Sequence, residues 1–150
     1  MKSRKLLNSE VSYVLEKQVS LAIESLMEYK PIVIYLFGSA SRNELRAESD
    51  IDIAFLANEE VDEYSCFMKA QELADIFNRD VDLVNLSLAS TVFKAQVVGK
   101  GKVIFCSDDT KRMYFELRSF KEYALLNEER AKILERIRKS GTVYGKWYYI

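Results

Sequence analysis

The most informative stretch of the chain is residues 34–54, which read IYLFGSASRNELRAESDIDIA. An apolar run ends before Gly38-Ser39, and ten further residues lead into a second apolar run that carries Asp50 and Asp52. Short runs of β-branched and aromatic residues are typical of buried strands, so we expect a strand on each side of the polar segment. Because an unpaired buried charge is costly, two aspartates in an apolar strand indicate a function for both.

The spacing of Asp50 and Asp52 favours a shared cation. Residues two positions apart on a strand point to the same face, so both carboxylates can reach one ion. Two close carboxylates repel each other and favour protonation, whereas a bound divalent cation keeps both ionised. Asp82 lies in a third alternating run, DVDLVNL, over residues 80–86. If the second and third strands are neighbours, Asp82 is either a third metal ligand or the base for an attacking hydroxyl.

Gly38-Ser39 predicts a phosphate site beside these carboxylates. A glycine at a strand-to-helix turn lets the backbone approach a ligand, and the N–H groups of a following helix bind anions together with the Ser39 hydroxyl. Arg42, one turn further, can add a charge-assisted contact. Gly-Ser alone is often a simple turn, and a lone Asp-x-Asp is usually a solvated strand end. Together they predict a site for a nucleoside triphosphate with Mg²⁺ or Mn²⁺, where attack at phosphorus releases pyrophosphate.

Composition narrows the chemistry further. The chain has 150 residues, a formal net charge of −1 and no histidine. Without histidine there is no Ser-His-Asp triad, no Cys-His pair and no His-ligated zinc, which leaves carboxylates and hard cations. The near-zero net charge argues against a general nucleic-acid-binding surface. Cys66 and Cys106 have no metal-ligand or redox spacing, which indicates reduced thiols and a cytoplasmic protein.

We expect neither a membrane-spanning segment nor an export signal in the chain. Its start, MKSRKLLNSE, has no apolar signal core. No run approaches the roughly 18 apolar residues that a membrane-spanning helix needs. We therefore expect no association with a membrane.

The full pattern predicts an α/β (α+β) fold with a mixed sheet of about four strands, helices packed on it and a long C-terminal helix. We expect a single domain over residues 1–150, with a core at 9–106 and a C-terminal helix and aromatic tail at 108–150. The tail TVYGKWYYI either folds onto the core or docks a partner. The expected strands are 32–37, 51–56, 80–86 and 102–106. Five helices are expected. The first starts at Asn8 or Ser9 and runs to about Met27, and the last runs from Asp108 or Asp109 to about Lys139. The three between them cover 40–45, 64–78 and 88–98.

The segment GSASRNELRAESDIDIAFL resembles the GS-x10-D-x-D signature of the polymerase-β-like nucleotidyltransferase superfamily, and the short chain is similar to its minimal nucleotidyltransferases, or MNT proteins. The later segments VDLVNL and ILERIRKSGTVYG resemble the antitoxin branch, whose members pair with HEPN-domain RNase toxins. The resemblance implies that Gly38 and Ser39 hold the triphosphate, that Asp50 and Asp52 bind Mg²⁺, and that Asp82 is the third carboxylate. It also implies transfer of AMP from ATP to a tyrosine of the toxin.

Two departures and two alternatives accompany this interpretation. Asn43 replaces a glycine that many relatives carry, and Asn85 replaces a second acid of the third strand. Neither is a primary motif residue, so we expect an active enzyme. One alternative is a non-catalytic antitoxin that neutralises its toxin by contact alone, through the C-terminal helix and tail. The other is nucleotidyl transfer to a small molecule such as an aminoglycoside, although such enzymes generally carry a further domain for the acceptor.

Overall fold

A four-stranded sheet is the frame of the fold. The computed structural model describes residues 15–38 and 50–140, together with the backbone of 142–143 and 146–147. The sheet strands are β1 (Pro31–Phe37), β2 (Ile51–Ala57), β3 (Val81–Asn85) and β4 (Lys102–Cys106), in the order β3-β2-β1-β4. β1 pairs antiparallel with β2 and β4, whereas β2 and β3 run parallel. The mixed sheet expected from the sequence is confirmed.

Helices cover both faces of this sheet. They are α1 (residues 15–26), α2 (Glu63–Phe77), α3 (Thr91–Lys100) and α4 (Asp109–Ser140), with short 3-10 turns at Met27–Tyr29 and Leu86–Leu88. Past α4, β5 (Thr142–Val143) pairs antiparallel with β6 (Lys146–Trp147). Among these described helices, none combines the length and apolarity needed to cross a bilayer. The expected cap at Asn8 or Ser9, the helix at 40–45 and the tail side chains lie outside the described residues.

Two apolar layers hold the sheet between the helices. On one face, β-strand residues such as Ile53 and Phe55 pack with Leu26 of α1 and with Leu73 and Phe77 of α2. On the other face, a second cluster joins the sheet to α3 and α4 and includes Val33, Tyr35, Ala54, Leu86, Val97 and the half-buried Phe115. β1 supplies both layers and is almost wholly buried, which explains its nearly continuous apolar sequence.

Local caps set the helix boundaries. The Asp62 side chain accepts a hydrogen bond from the Ser65 N–H at 2.7 Å and starts α2. The predicted helix from Leu88 is wrong at its start, because α3 begins only at Thr91. The Ser90 hydroxyl accepts from the Phe93 N–H at 3.1 Å, and a serine in this position is a strong N-cap. The preceding residues form a separate 3-10 turn that is capped by the side chain of Asn85.

A buried tyrosine fastens α4 to the sheet. The Tyr35 hydroxyl donates to Glu116 Oε1 at 2.7 Å, and Arg112 Nη1 lies 3.1 Å from both carboxylate oxygens of Glu116. Burial raises the pKa of the Tyr35 hydroxyl, and the hydrogen bond to Glu116 raises it further. The phenol therefore stays protonated and acts as a permanent donor to the α4 carboxylate.

We predict that Tyr35→Phe lowers the free energy of unfolding by about 1–2 kcal/mol, because the hydrogen bond to a charged acceptor is lost while the ring still packs. Chemical denaturation monitored by circular dichroism measures the change. Tyr114→Phe is the matched control, since Tyr114 is 66% exposed on the same helix and should change stability little. Equal stability of wild type and Tyr35→Phe would show that the hydrogen bond does not stabilise the docking of α4.

Candidate functional site

The acidic strands meet at one end of the sheet. Asp52 of β2 pairs in register with Phe37 of β1 on one side and with Asp82 of β3 on the other. β2 and β3 are thus the neighbours that the sequence argument required. Because β1 ends where β2 and β3 begin, the turn that starts at Gly38 lies at the same end as both carboxylates. The structure therefore brings Gly38, Asp50, Asp52 and Asp82 together.

Gly38 faces the Asp52 carboxylate directly. Its φ is +70°, a left-handed conformation that residues with a Cβ adopt only at an energetic cost. A Cβ placed at this position would also collide with Asp52 Oδ2. Glycine is therefore required here twice, once by the backbone conformation and once by the close approach of a side chain. The sequence predicted the turn at Gly38 but not the contact of Gly38 with Asp52, the second aspartate of the pair.

Asp50 and Asp82 act electrostatically on Asp52. Asp52 is half-buried, whereas Asp50 and Asp82 are exposed. Burial raises the pKa of Asp52 to about 6, and the negative charge of Asp82, a hydrogen bond to Asp82 and the charge of Asp50 all act in the same direction. The surrounding protein groups therefore disfavour the negatively charged form of Asp52. A cation is the natural complement of such a cluster.

The carboxylates fit a divalent ion that also binds phosphate. Among the described residues, no three acidic or thiol side chains are gathered into a complete ligand set. Mg²⁺ does not need one, because it is usually held by one or two carboxylates, substrate phosphates and water. Asp50, Asp52 and Asp82 therefore suit an ion that arrives with a nucleotide. Ser39 and Arg42 lie outside the described residues, so their part in phosphate binding stays a prediction.

A groove that the sequence pattern did not predict adjoins this cluster of carboxylates. It has a volume of about 590 Å³ and runs from Asp50 and Asp82 along β3. One face of α2 lines it, and the residues after β3 line the opposite side. Phe67 and Leu88 on its walls are 60% and 61% exposed. Both residues are apolar in the sequence, but an apolar residue at either position is explained equally well by the buried stripe of an amphipathic helix. Only the strand order shows that β3 is an edge.

We predict that Asp52→Asn stabilises the ligand-free protein increasingly as the pH rises. A carboxyl whose pKa lies near 6 when folded and near 3.8 when unfolded binds its proton better in the folded state. Its contribution to stability is therefore present below about pH 4 and is lost as the pH rises to about 6. The advantage of Asp52→Asn should reach about 1–2 kcal/mol and level off above that pH.

Thermal unfolding across this pH range, without divalent cations, measures the difference. Asp75→Asn provides the control, since Asp75 is an exposed residue of α2 outside the groove and the cluster. A constant difference between wild type and Asp52→Asn at all pH values would contradict the raised pKa.

Comparison with known proteins identifies relatives over most of the chain. The family model described as polymerase beta nucleotidyltransferase matches residues 8–110. The protein adenylyltransferase MntA of Shewanella oneidensis is 39% identical over 105 residues, which cover 70% of this chain and 75% of that protein.

Solved structures agree with this relationship. A crystal structure of a toxin–antitoxin with AMP-PNP matches with a TM-score of 0.70 and 36% identity, covering 82% of this chain and 98% of that one. A structure of a tri-AMPylated Shewanella oneidensis HEPN toxin in complex with an MNT antitoxin matches with a TM-score of 0.61 and 32% identity, covering 89% of this chain and 98% of that one. The present chain belongs to the polymerase beta nucleotidyltransferase family.

Proposed function

We propose that this chain is an antitoxin that transfers AMP from ATP to a tyrosine of a HEPN-domain RNase toxin. The observation that carries the proposal is the arrangement of Asp52, which pairs with Asp82 on β3 and touches Gly38 at the end of β1. This arrangement occurs in a chain that is 39% identical to a protein adenylyltransferase. The chain is also similar to the MNT antitoxin whose structure was solved in complex with an AMPylated HEPN toxin.

The reaction is a substitution at the α-phosphorus of ATP. The tyrosine oxygen forms a bond to this phosphorus, the bond to the β-phosphate oxygen breaks, and pyrophosphate leaves. The phenolic proton passes to a base, for which the neighbouring carboxylates are suitably placed. AMP then remains on the toxin as a phosphodiester, which adds bulk and negative charge where a neutral hydroxyl stood.

Each residue of the site has a part in this reaction. Gly38 and Ser39 hold the triphosphate through the turn after β1, with Arg42 as an additional cation. Asp50 and Asp52 hold Mg²⁺ or Mn²⁺, and Asp82 is the third carboxylate, beside them on the sheet edge. The bound ion supplies charge neutralisation for the phosphates. A metal also agrees with the raised pKa of Asp52, because the positive charge of an ion held by these carboxylates would offset both the burial and the mutual repulsion that disfavour their charged forms.

The carboxylate cluster favours catalysis over neutralisation by contact alone. Asp52 is half-buried next to Asp82, and this placement destabilises its charged form. A surface used only for docking would not need a carboxylate whose charged form is destabilised. A site that binds a metal ion and a nucleotide does need one. We place the reaction in the cytoplasm, in agreement with the free thiols of Cys66 and Cys106.

We predict that Asp50→Asn/Asp52→Asn abolishes AMP transfer, with a loss of at least about 10³-fold, because the ligands of the metal are removed. The purified protein is incubated with ATP labelled on the α-phosphate, Mg²⁺ and a HEPN-domain toxin from the same organism. The Shewanella oneidensis HEPN toxin serves as a second acceptor. Mass spectrometry identifies the labelled residue, and the matched control is Asp75→Asn.

The alternatives give different results in the same experiment. Neutralisation of the toxin by the double mutant, without any label on the toxin, would overturn the proposal in favour of binding alone. Label on an added aminoglycoside, with none on the toxin, would assign a small-molecule acceptor.

We predict that Gly38→Ala reduces AMP transfer by about 10²-fold or more, since its Cβ displaces the Asp52 carboxylate and its backbone is strained. Gly99→Ala is the matched control. Gly99 lies within α3, and a Cβ there would meet only an ordinary contact of 3.9 Å with the Phe120 ring. The control should keep full activity and gain up to about 1 kcal/mol of stability from better helix propensity. Unchanged transfer by Gly38→Ala would contradict the role of the close approach.

A further inference from the structure

β3 is the outermost strand of the sheet on the side of the active site. In the order β3-β2-β1-β4, it pairs only with β2 among the described strands. The groove of about 590 Å³ follows its free side and begins at Asp50 and Asp82. The free edge of a strand therefore leads directly into the cluster of carboxylates.

The hydrogen-bonding pattern identifies the groups at this free edge. The Ile51 N–H donates to the Asp80 carbonyl at 2.9 Å, and β2 and β3 pair in parallel from Ile51 and Val81 onward. Backbone groups alternate in direction along a strand, so Asp82 and Val84 also direct theirs to β2. Val81, Leu83 and Asn85 direct their N–H and C=O groups to the groove.

A thiol already occupies the far half of the edge. The Cys66 Sγ of α2 donates to the Leu83 carbonyl at 3.3 Å, and a hydrogen bond from the Asn85 N–H reaches the same sulfur. The half next to Asp82 has no such partner within the described residues. It presents the Val81 N–H, the Val81 carbonyl and the Leu83 N–H, which is one short stretch of unpaired strand.

The walls of the groove suit an extended chain. Phe67 of α2 projects on one side and Leu88 on the other, and both are largely exposed. Ala70 and Ala89 are small and leave room between them. Main-chain groups along the floor and apolar side chains at the rims are the features by which sheet edges recognise peptides.

We propose that an extended segment of the acceptor protein docks on this edge as an additional strand, hydrogen-bonded to Val81 and Leu83, and places its tyrosine beside Asp82. The inference rests on the proposed AMP transfer and adds how its protein substrate is held. A side chain on an added strand lies about 5 Å from its neighbour on the same face of the sheet. The hydroxyl of an acceptor residue opposite Asp82 is therefore within reach of the carboxylates. The turn that begins at Gly38, which is proposed to bind the nucleotide, lies on the other side of the carboxylates, at the end of β1.

The decisive variant is Val81→Pro. Proline removes the outward N–H and puts its ring in the path of an added strand, yet it is tolerated at the first residue of an edge strand. The Asp80 carbonyl that bonds to Ile51 is retained. We expect the KM for the toxin to rise about tenfold or more, and the KM for ATP to stay within about twofold. Val81→Ala shortens the same side chain but keeps the N–H, so the toxin KM of Val81→Pro should exceed that of Val81→Ala by about tenfold or more.

A second pair of variants tests the rim without touching the strand. Phe67→Ser should raise the KM for the toxin by about fivefold, since an apolar contact is lost. Tyr64→Ser is its control, because Tyr64 is 71% exposed on the same helix but does not line the groove. Circular dichroism of each variant establishes that it is folded.

Amide hydrogen exchange measures directly whether the β3 edge is hydrogen-bonded in the complex. The Val81 and Leu83 amides should exchange rapidly in the free protein and become protected about tenfold or more in the complex with the HEPN toxin. Unprotected amides, or an unchanged toxin KM in folded Val81→Pro, would overturn the inference. So would a rise in the KM for ATP alone, which would assign the groove to the nucleotide. If the wild type transfers no AMP, the proposed function fails, and the exchange of these two amides still decides whether a protein strand docks there.

Discussion

The contact between Asp52 and Asp82 is the constraint on which the structure of the site depends. Burial raises the pKa of Asp52 to about 6, and the charge of Asp82 on the adjacent parallel strand, a hydrogen bond to Asp82 and the charge of Asp50 act in the same direction. Apolar packing of the sheet offsets this unfavourable interaction. Helices α1 and α2 bury one face of the strands, and α3 and α4 bury the other. Stability is supplied by the apolar layers, and the strand ends are left free for chemistry.

The order of the strands follows from the same requirement. β1 lies between β2 and β4, so its end delivers Gly38 to the Asp52 carboxylate while its length remains buried. The parallel pairing of β2 and β3 puts Asp52 and Asp82 side by side. α2 makes this parallel pairing possible, because parallel neighbours need a crossover connection. One helix thus sets both the site and one wall of the groove.

The sequence predicted those features that depend on local patterns. The short apolar runs of β1 and β2 and the period-two alternation in β3 are local signals, and the structure has strands at all three places. The start of α3 was predicted three residues too early, because Leu88 continues the apolar pattern while the Ser90 cap determines where the helix begins. The contact between Gly38 and Asp52 and the bond from Tyr35 to Glu116 join residues distant along the chain, so periodicity carries no information about them.

The groove shows why an edge strand can be an advantage in this family member. Free strand edges usually invite aggregation, and proteins cover or shorten them. Here β3 has only five residues, and the Cys66 thiol occupies the hydrogen-bonding groups of its second half. Within residues 15–38 and 50–140, only the portion beside Asp82 has no hydrogen-bonding partner, and this portion is too short to pair stably with an arbitrary chain. In the proposed docking, the acceptor segment gains in addition from the apolar rims and from the carboxylates, so the same short edge would both limit aggregation and select the acceptor.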